Sequence, residues 1–477
     1  MQAGSSEHLP DRIDVVVVGA GMAGNAAALS AAEAGASVCL LEKGSEFGGS
    51  SVLSGGALVF AGTDMQGALG IEDSVERLRQ DLAAFSGGKS DPEVVEAFLD
   101  HQLATFNWLR ERGAEFTLTP PAMAGSINRM HAAPHGQVAR ALHARVLEHP
   151  NIHYRSNAAA RRLVRSDGGR VDGVLVRING VEAAVKARRG VVLASGGFMR
   201  NRALLETFAP QWVGAVKMGG QHNTGDGLLM ACALGAGLAD MAYIEASLGA
   251  SLKRYPDLTE QPGEEVSLLF PMTRGAIIVN LEGRRFANEA LNYKALGAQG
   301  ARQTRGVVFQ IFDRKVMERS APTAGPSDYK GARAKGLLHQ ADTVGALAQS
   351  LGLDAAAMQA TVERYNGHVA NGRDADFGRP IADYGATGSA AIDSAPFYAF
   401  PCGAALTSTY CGLRVDRRLR VRDVFGEVIP GLYAGGEIIG GFHGAAYMSG
   451  TALAKAAVHG RAAGFACANG VQTGISE

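Results

Sequence analysis

Cysteine is scarce in this chain: five in 477 residues, at positions 39, 232, 402, 411 and 467, odd in number and without a CxxC pair. That argues against a disulfide framework or a zinc site, leaves no cluster for iron–sulfur or haem attachment, and fits a reducing cytoplasm. Charge of one sign is also lacking, since 46 Lys plus Arg stand against 46 Asp plus Glu. Without a basic surplus, the electrostatic footprint of a nucleic-acid binder is missing. No apolar run approaches ~20 residues free of charge, so no membrane span is expected. The start, MQAGSSEHLPDR, has no basic segment leading into an apolar one, so export is not expected either.

Glycine, in contrast, is abundant at 63 residues, with no collagen-like period, so it is expected in turns and ligand loops. The length exceeds what one core usually serves, which predicts two domains sharing a cleft. Residues 13–18, IDVVVV, form a β-branched run with no polar break, as in a buried parallel strand; GAGMAGNAAALSAAEAGA then reads as a glycine turn opening a helix, and SVCLLEK as a second strand. Gly19, Gly21 and Gly24, with Ala23 between them, have GxGxxG spacing, and Glu42 followed by Lys43 ends the second strand. Glycine lets the backbone approach a pyrophosphate, the helix N-terminus stabilises its charge, and Glu42 can accept from ribose hydroxyls.

Further along, 73–88 and 91–116 read as helices and 153–180 as a meander of strands; RRGVVLASGGF restores the parallel-strand pattern and ends on Ala194, Ser195 and Gly196. From about 245 to 390 the texture changes. GAIIVNLEGRRFANE reads as a hairpin with a glycine turn, and helices are expected in 342–352 and 354–372. This segment is expected as an inserted domain, 245–390, between two parts of the nucleotide-binding domain, 1–244 and 391–477. VIPGLYAGGEIIGG then gives a strand and glycine turn, and SGTALAKAAVHGRAAGFACA a helix of small residues.

Six blocks stand in order: GAGMAG with LEK, GGSSVLSGGA (48–57), ASGGF (194–198), TGDG (224–227), RGAIIVNLEGRRFANE (274–289) and IPGLYAGGEIIGGFHGAAYMSGTAL (429–453). In this they resemble the flavoprotein family of succinate dehydrogenase, fumarate reductase and the 3-ketosteroid dehydrogenases, over nearly the whole chain. The resemblance implies FAD and an α/β architecture: a Rossmann-type, glutathione-reductase-like FAD domain with an inserted α+β cap. It places Gly49, Ser50, Ser51, Ser54, Gly55 and Gly56 along the pyrophosphate and flavin, and Asp226 and Glu437 on sugar or ribityl hydroxyls. Members that attach FAD covalently use a histidine in the block holding Ser50 and Ser51, so the FAD is expected to be noncovalent. The helix opening at Gly450, Thr451, Ala452 and Leu453 would aim free N–H groups and a positive dipole end at flavin N1 and O2.

Fumarate reductases of this family clamp two carboxylates with arginine and histidine. Here Tyr447 replaces the clamping arginine, Thr407, Ser408 and Tyr410 stand in the region of their paired histidines, and Tyr293 replaces the proton-delivering arginine of the cap. Tyr293, and Tyr447 with Ser449, instead resemble the tyrosines of the ketosteroid dehydrogenases, the second pair those of the 4-ene-forming branch; no segment marks a four-ring pocket. That pattern implies dehydrogenation, or in reverse reduction, of the bond α,β to a carbonyl, with hydride passing to flavin N5. Tyr447 with Ser449 would donate to the carbonyl oxygen and Tyr293, its pKa lowered by neighbours, would move the proton, or the roles are exchanged; Tyr410 stands beside them. Lys294 either lowers the pKa of Tyr293 or points to water, His443 meets the flavin loop or packs, and His131 and His135 rim the pocket or are solvated.

The expected partners are a small carbonyl substrate and a separate electron acceptor, and no motif fixes an oligomeric state. Three other readings stay open: an enzyme of the fumarate or tricarballylate type, to which GVVFQIFDRK is similar, with Arg274, Arg284 or Arg285 supplying charge; a flavin electron-transfer subunit; and an oxidase that hands its electrons to O2.

Overall fold

The computed structural model describes residues 12–119, 125–258, 266–321, 325–381 and 391–470. The polar start up to Asp11 lies outside them. Two compact units divide the chain: Met1–Pro210 with Gly219–Ile244 and Ser408–Glu477, and Gln211–Met218 with Glu245–Thr407.

In the first unit the valine run Arg12–Val18 is buried in all but its first residue. Such a strand needs cover on both faces of a sheet. The sheet runs in the order Arg420–Arg422, Val428–Ala434, Val181–Leu193, Arg12–Val18, Val38–Leu41, Ile152–Arg155. All neighbours are parallel except the Arg420–Arg422 edge. Val18, Leu41, Leu193 and Ala434 sit in register at the carboxyl ends, so the glycine turns that follow three of these strands gather at one edge. Ligands of open α/β sheets bind at that edge. The expected meander is Ala158–Arg165, Val171–Ile178 and the first half of Val181–Leu193, antiparallel throughout.

The helices Met22–Glu33 and Thr451–Asn469 pack together at close range. A Cβ on Gly460 would lie 2.3 Å from the Ala23 carbonyl oxygen, and one on Gly464 only 2.1 Å from that of Ala27. The small-residue composition of the last helix is thus what its partner requires.

The second unit centres on Phe397–Leu406, ten buried residues that pair antiparallel with Ser247–Ser251, Val308–Asp313 and His339–Ala341 and parallel with Val216–Lys217. This corrects the expected boundary at 390. The strand stands after the supposed return to the nucleotide-binding domain, yet its hydrogen bonds go to the inserted unit, which also takes up Gln211–Met218. The expected hairpin at 275–289 is a tight turn around Gly283, φ +69°, closed by one bridge between Val279 and Arg285; Ile277–Val279 pairs instead with the strand Val308–Asp313. Helices Val344–Ser350 and Ala355–Ala370 cover this sheet with Leu347, Met358, Val362 and Tyr365. Among the described residues, no helix is long and apolar enough to cross a membrane.

Candidate active site

The first unit holds a cavity of about 120 Å³ at the carboxyl ends of its parallel strands. Gly19, Gly21, Ala23, Glu42, Lys43, Gly49, Ser50, Ser51, Ala194, Ser195, Gly196, Asp226 and Glu437 line it. Gly19 has φ +100°, and a Cβ there would stand 2.5 Å from the Ala194 carbonyl oxygen; a Cβ on Gly24 would stand 1.7 Å from that of Gly19. Only glycine permits this turn. Glu42 accepts from the Ala20 N–H at 2.9 Å and the Gly44 N–H at 2.7 Å, fastening the second strand to the glycine turn. Each carboxylate oxygen keeps a further acceptor site for a hydroxyl.

The neighbouring loops interlock. Ser51 Oγ accepts from the Met22 N–H at 3.0 Å, and Ser50 Oγ from the Gly220 N–H at 3.0 Å. Ser54 Oγ accepts from Gly56, whose φ of +79° sets it against Ala133; Gly55 faces open space. Asp226 is committed to an ion pair with Lys43 at 2.7 Å, and Lys43 Nζ also donates to Thr224 Oγ1. The pair therefore presents itself as a unit at the rim. Glu437 accepts from the Thr409 N–H at 2.9 Å and Asn223 Nδ2 at 3.0 Å. Gly197 makes room for that carboxylate, since a Cβ would fall 2.4 Å from its Oε1. Ser195 Oγ is buried with no hydrogen-bond partner among the described residues. A buried hydroxyl normally has one.

In the same unit, Gly450 at φ +85° starts the helix Thr451–Asn469. The hydroxyl of half-buried Tyr447 accepts from the Gly450 N–H at 3.0 Å. The Gly450 N–H was expected to be free for a ligand; a phenol oxygen occupies it instead. Thr451 directs its hydroxyl to the Met448 carbonyl at 2.6 Å, and Leu453 is buried. Burial pushes the Tyr447 phenol above its ordinary pKa in spite of the Gly450 N–H. It therefore stays a neutral donor at physiological pH.

Three rings cluster there. Tyr410 and Tyr447 have centroids 4.9 Å apart, and His443 meets Tyr410 at 5.1 Å and Tyr447 at 5.4 Å. Tyr410 is held at φ +59°, a left-handed conformation costing a non-glycine residue on the order of 1 kcal/mol or more. Half-buried Ser449 follows in the same loop. Two residues that the sequence did not single out fix the loop carrying His443. Asp240 Oδ2 accepts from the Gly441 N–H at 2.8 Å and the Gly444 N–H at 3.3 Å, and buried Lys455 donates to the Ile439 carbonyl at 2.6 Å. Burial pushes Asp240 up and Lys455 down to about 8. A lysine in the first turns of a helix made mostly of small residues was the available signal for the second.

Tyr293 belongs to the other unit, where it opens the helix Tyr293–Ala301 and stacks on Phe270 at 5.0 Å and 16°. Lys294 does not point to water: it is 3% exposed, its Nζ donates to the Glu245 carbonyl at 3.0 Å, and burial lowers its pKa to about 7. Arg285 is consumed by Glu289 at 2.7 Å and Asp374 at 2.9 Å, whereas Arg274 and Arg284 are exposed. His131 is buried between Thr63 Oγ1 and the Arg129 carbonyl, both at 2.9 Å, and is structural; His135 is exposed.

The family model described as FAD binding domain matches residues 14–453. The chain is 33% identical over 462 residues to the fumarate reductase (cytochrome) of Shewanella frigidimarina, covering 95% of this chain and 76% of that protein. Among solved structures, the open conformation of a flavocytochrome c3 fumarate reductase superposes with a TM-score of 0.84 at 28% identity, over 96% of this chain and 78% of that one. The 3-ketosteroid-Δ4-(5α)-dehydrogenase of Rhodococcus jostii RHA1 does so with a TM-score of 0.74 at 28% identity, over 98% and 99%. The extent of the match, the glycine turn and the paired glutamates identify the chain as a member of the FAD binding domain family, an FAD-dependent oxidoreductase of the fumarate reductase and ketosteroid dehydrogenase type that acts on CH–CH groups.

Proposed function

We propose that this protein dehydrogenates, or in reverse reduces, the carbon–carbon bond α,β to a ketone or similar carbonyl. The cavity-lining residues fit FAD. The glycine turn leaves room for a pyrophosphate, Glu42 and Glu437 offer acceptors to sugar or ribityl hydroxyls, and Ser195 Oγ offers a buried hydroxyl still in need of a partner. FAD supplies the hydride acceptor or donor. Gly24 lets the helix pack onto its own turn, and the loop from Gly49 to Gly56 borders the cavity.

The observation that carries the reading is the Tyr447 hydroxyl, seated on the Gly450 N–H at the helix start and kept protonated by burial. Accepting from an N–H polarises the O–H, so Tyr447, aided by Ser449, stabilises the oxyanion that develops when the carbon beside a carbonyl loses its proton. Tyr293, from the unit read as the cap, moves that proton, and Tyr410 and His443 hold the Tyr447 ring. Electrons pass to a separate acceptor, and the free, mostly buried cysteines favour a reducing cytoplasm.

A second reading is supported by the 33% identity to a fumarate reductase: a substrate bearing a carboxylate. Against it stands the loop from Gly440 to Leu453, which carries no arginine, together with the commitment of Arg285 to two carboxylates. A carboxylate buried without a cation costs several kcal/mol. Anaerobic mixing of the FAD-loaded protein with cyclic ketones, succinate and tricarballylate separates the two. Bleaching of the flavin by ketones alone is the expected result, and bleaching by the acids alone overturns it. Turnover by the isolated chain with a dye acceptor excludes an electron-transfer subunit without a substrate of its own.

A further inference from the structure

We propose that His143, held as its Nδ1–H tautomer, is a positioning residue that ties together the two glycine loops of the FAD site and thereby sets how tightly FAD is kept. Asn25, fully buried on the helix Met22–Glu33, donates through Nδ2 to the Ala20 carbonyl at 2.7 Å and to the Gly21 carbonyl at 2.8 Å. A side-chain amide has two N–H bonds, and both are now used. The reversed amide would face oxygen against two carbonyls, so its orientation is fixed by this geometry.

Asn25 Oδ1, an acceptor only, then lies 2.9 Å from His143 Nδ1. That contact is a hydrogen bond only if Nδ1 carries the proton. Burial lowers the His143 pKa to about 4, which keeps the ring neutral. The ring stacks on Phe47 at 3.8 Å and 10°, and Tyr154 meets it edge-on at 4.7 Å.

Phe47 immediately precedes Gly48 and Gly49, which turn through φ +106° and +48°. Gly48 donates its N–H to the Ala20 carbonyl at 2.9 Å, the same oxygen that Asn25 holds. The GxGxxG turn and the Gly48–Gly49 loop thus meet at one carbonyl and are fastened a second time through Asn25, His143 and Phe47. None of these three side chains lines the cavity, so the link acts through the backbone that does.

The test uses the FAD-loaded protein. Nitrogen NMR of histidine-labelled parent should show, beside His131, whose Nδ1 donates to the Arg129 carbonyl, a second neutral ring protonated at Nδ1 and unprotonated at Nε2, and that second signal should vanish in His143→Gln. His143→Ala should release FAD about tenfold faster than the parent, from the loss of one buried hydrogen bond and one stacked ring. His143→Gln, whose amide can still donate to Asn25, should recover most of that loss, which a general packing defect would not permit. An Nε2–H tautomer at His143 in the parent, or FAD release from His143→Gln as fast as from His143→Ala, overturns the proposal. Should the alanine variant fail to fold, the tautomer and the glutamine variant decide.

Discussion

Replacing Tyr447 by phenylalanine removes one oxygen atom that has two separable duties. The first is structural: that oxygen accepts the Gly450 N–H at 3.0 Å at the start of a 19-residue helix. Leaving a buried donor unpaired costs about 1–3 kcal/mol, and the half-burial of this site puts the loss near the low end, about 1 kcal/mol. In a chain of this size that lowers the melting temperature by only about a degree or two. The second duty is catalytic. A preorganised donor to a developing oxyanion is typically worth 10²–10³ in kcat, or ~3–4 kcal/mol, and because the charge appears only in the transition state, KM should change little. The two effects are read separately, by flavin fluorescence during a thermal ramp and by stopped-flow reduction of bound FAD with a cyclic ketone. Burial raises the phenol pKa, so the parent should show no loss of activity from Tyr447 ionisation as pH rises towards 10. A reduction rate in Tyr447→Phe within threefold of the parent, with FAD retained, would refute the assigned role.

Three further outcomes are expected. The pKa of Lys294 is lowered in the folded chain from 10.5 to about 7, so the unfolded chain binds the extra proton between those values. The parent should therefore gain stability as pH rises from 7 to 10.5, on the order of 5 kcal/mol at 1.36 kcal/mol per unit, and denaturant melts of Lys294→Met should lack that gain. His131 and His143 are both held near 4 by burial, against 6.5 when unfolded, so stability should fall as pH drops from 6.5 to 4 by about 3 kcal/mol per ring; His131→Gln should remove one such share of the slope and leave the rest, to which buried His459 also contributes. Gly464→Val would push its side chain against the Ala27 backbone, where even a Cβ lies 2.1 Å from oxygen. An overpacking cost above ~3 kcal/mol should appear as a lower melting temperature and reduced FAD content.

The sequence by itself determined the elements whose evidence is local. The valine run, the glycine turn after it and Glu42 follow one another within thirty residues, and their order specifies a strand, a phosphate-binding turn and an acceptor before any distant contact forms. The tyrosines at 410 and 447 were legible as candidates because they stand in blocks of recognisable spacing. Their meeting with His443, and the seat of the Tyr447 hydroxyl on the helix start, were decided by the tertiary structure, as was the support from Asp240, which is 201 residues from Gly441. The strand Phe397–Leu406 was misallotted for the same reason: its pattern says buried strand, but only its hydrogen-bonding partners say which sheet. Lys294 was left between two readings and His143 went unread because one residue along a helix is a rotation of about 100°, and which face is buried depends on what packs there. Periodicity fixes what an element is; register, burial and the proton carried by a buried ring follow from neighbours that the chain brings together only when folded.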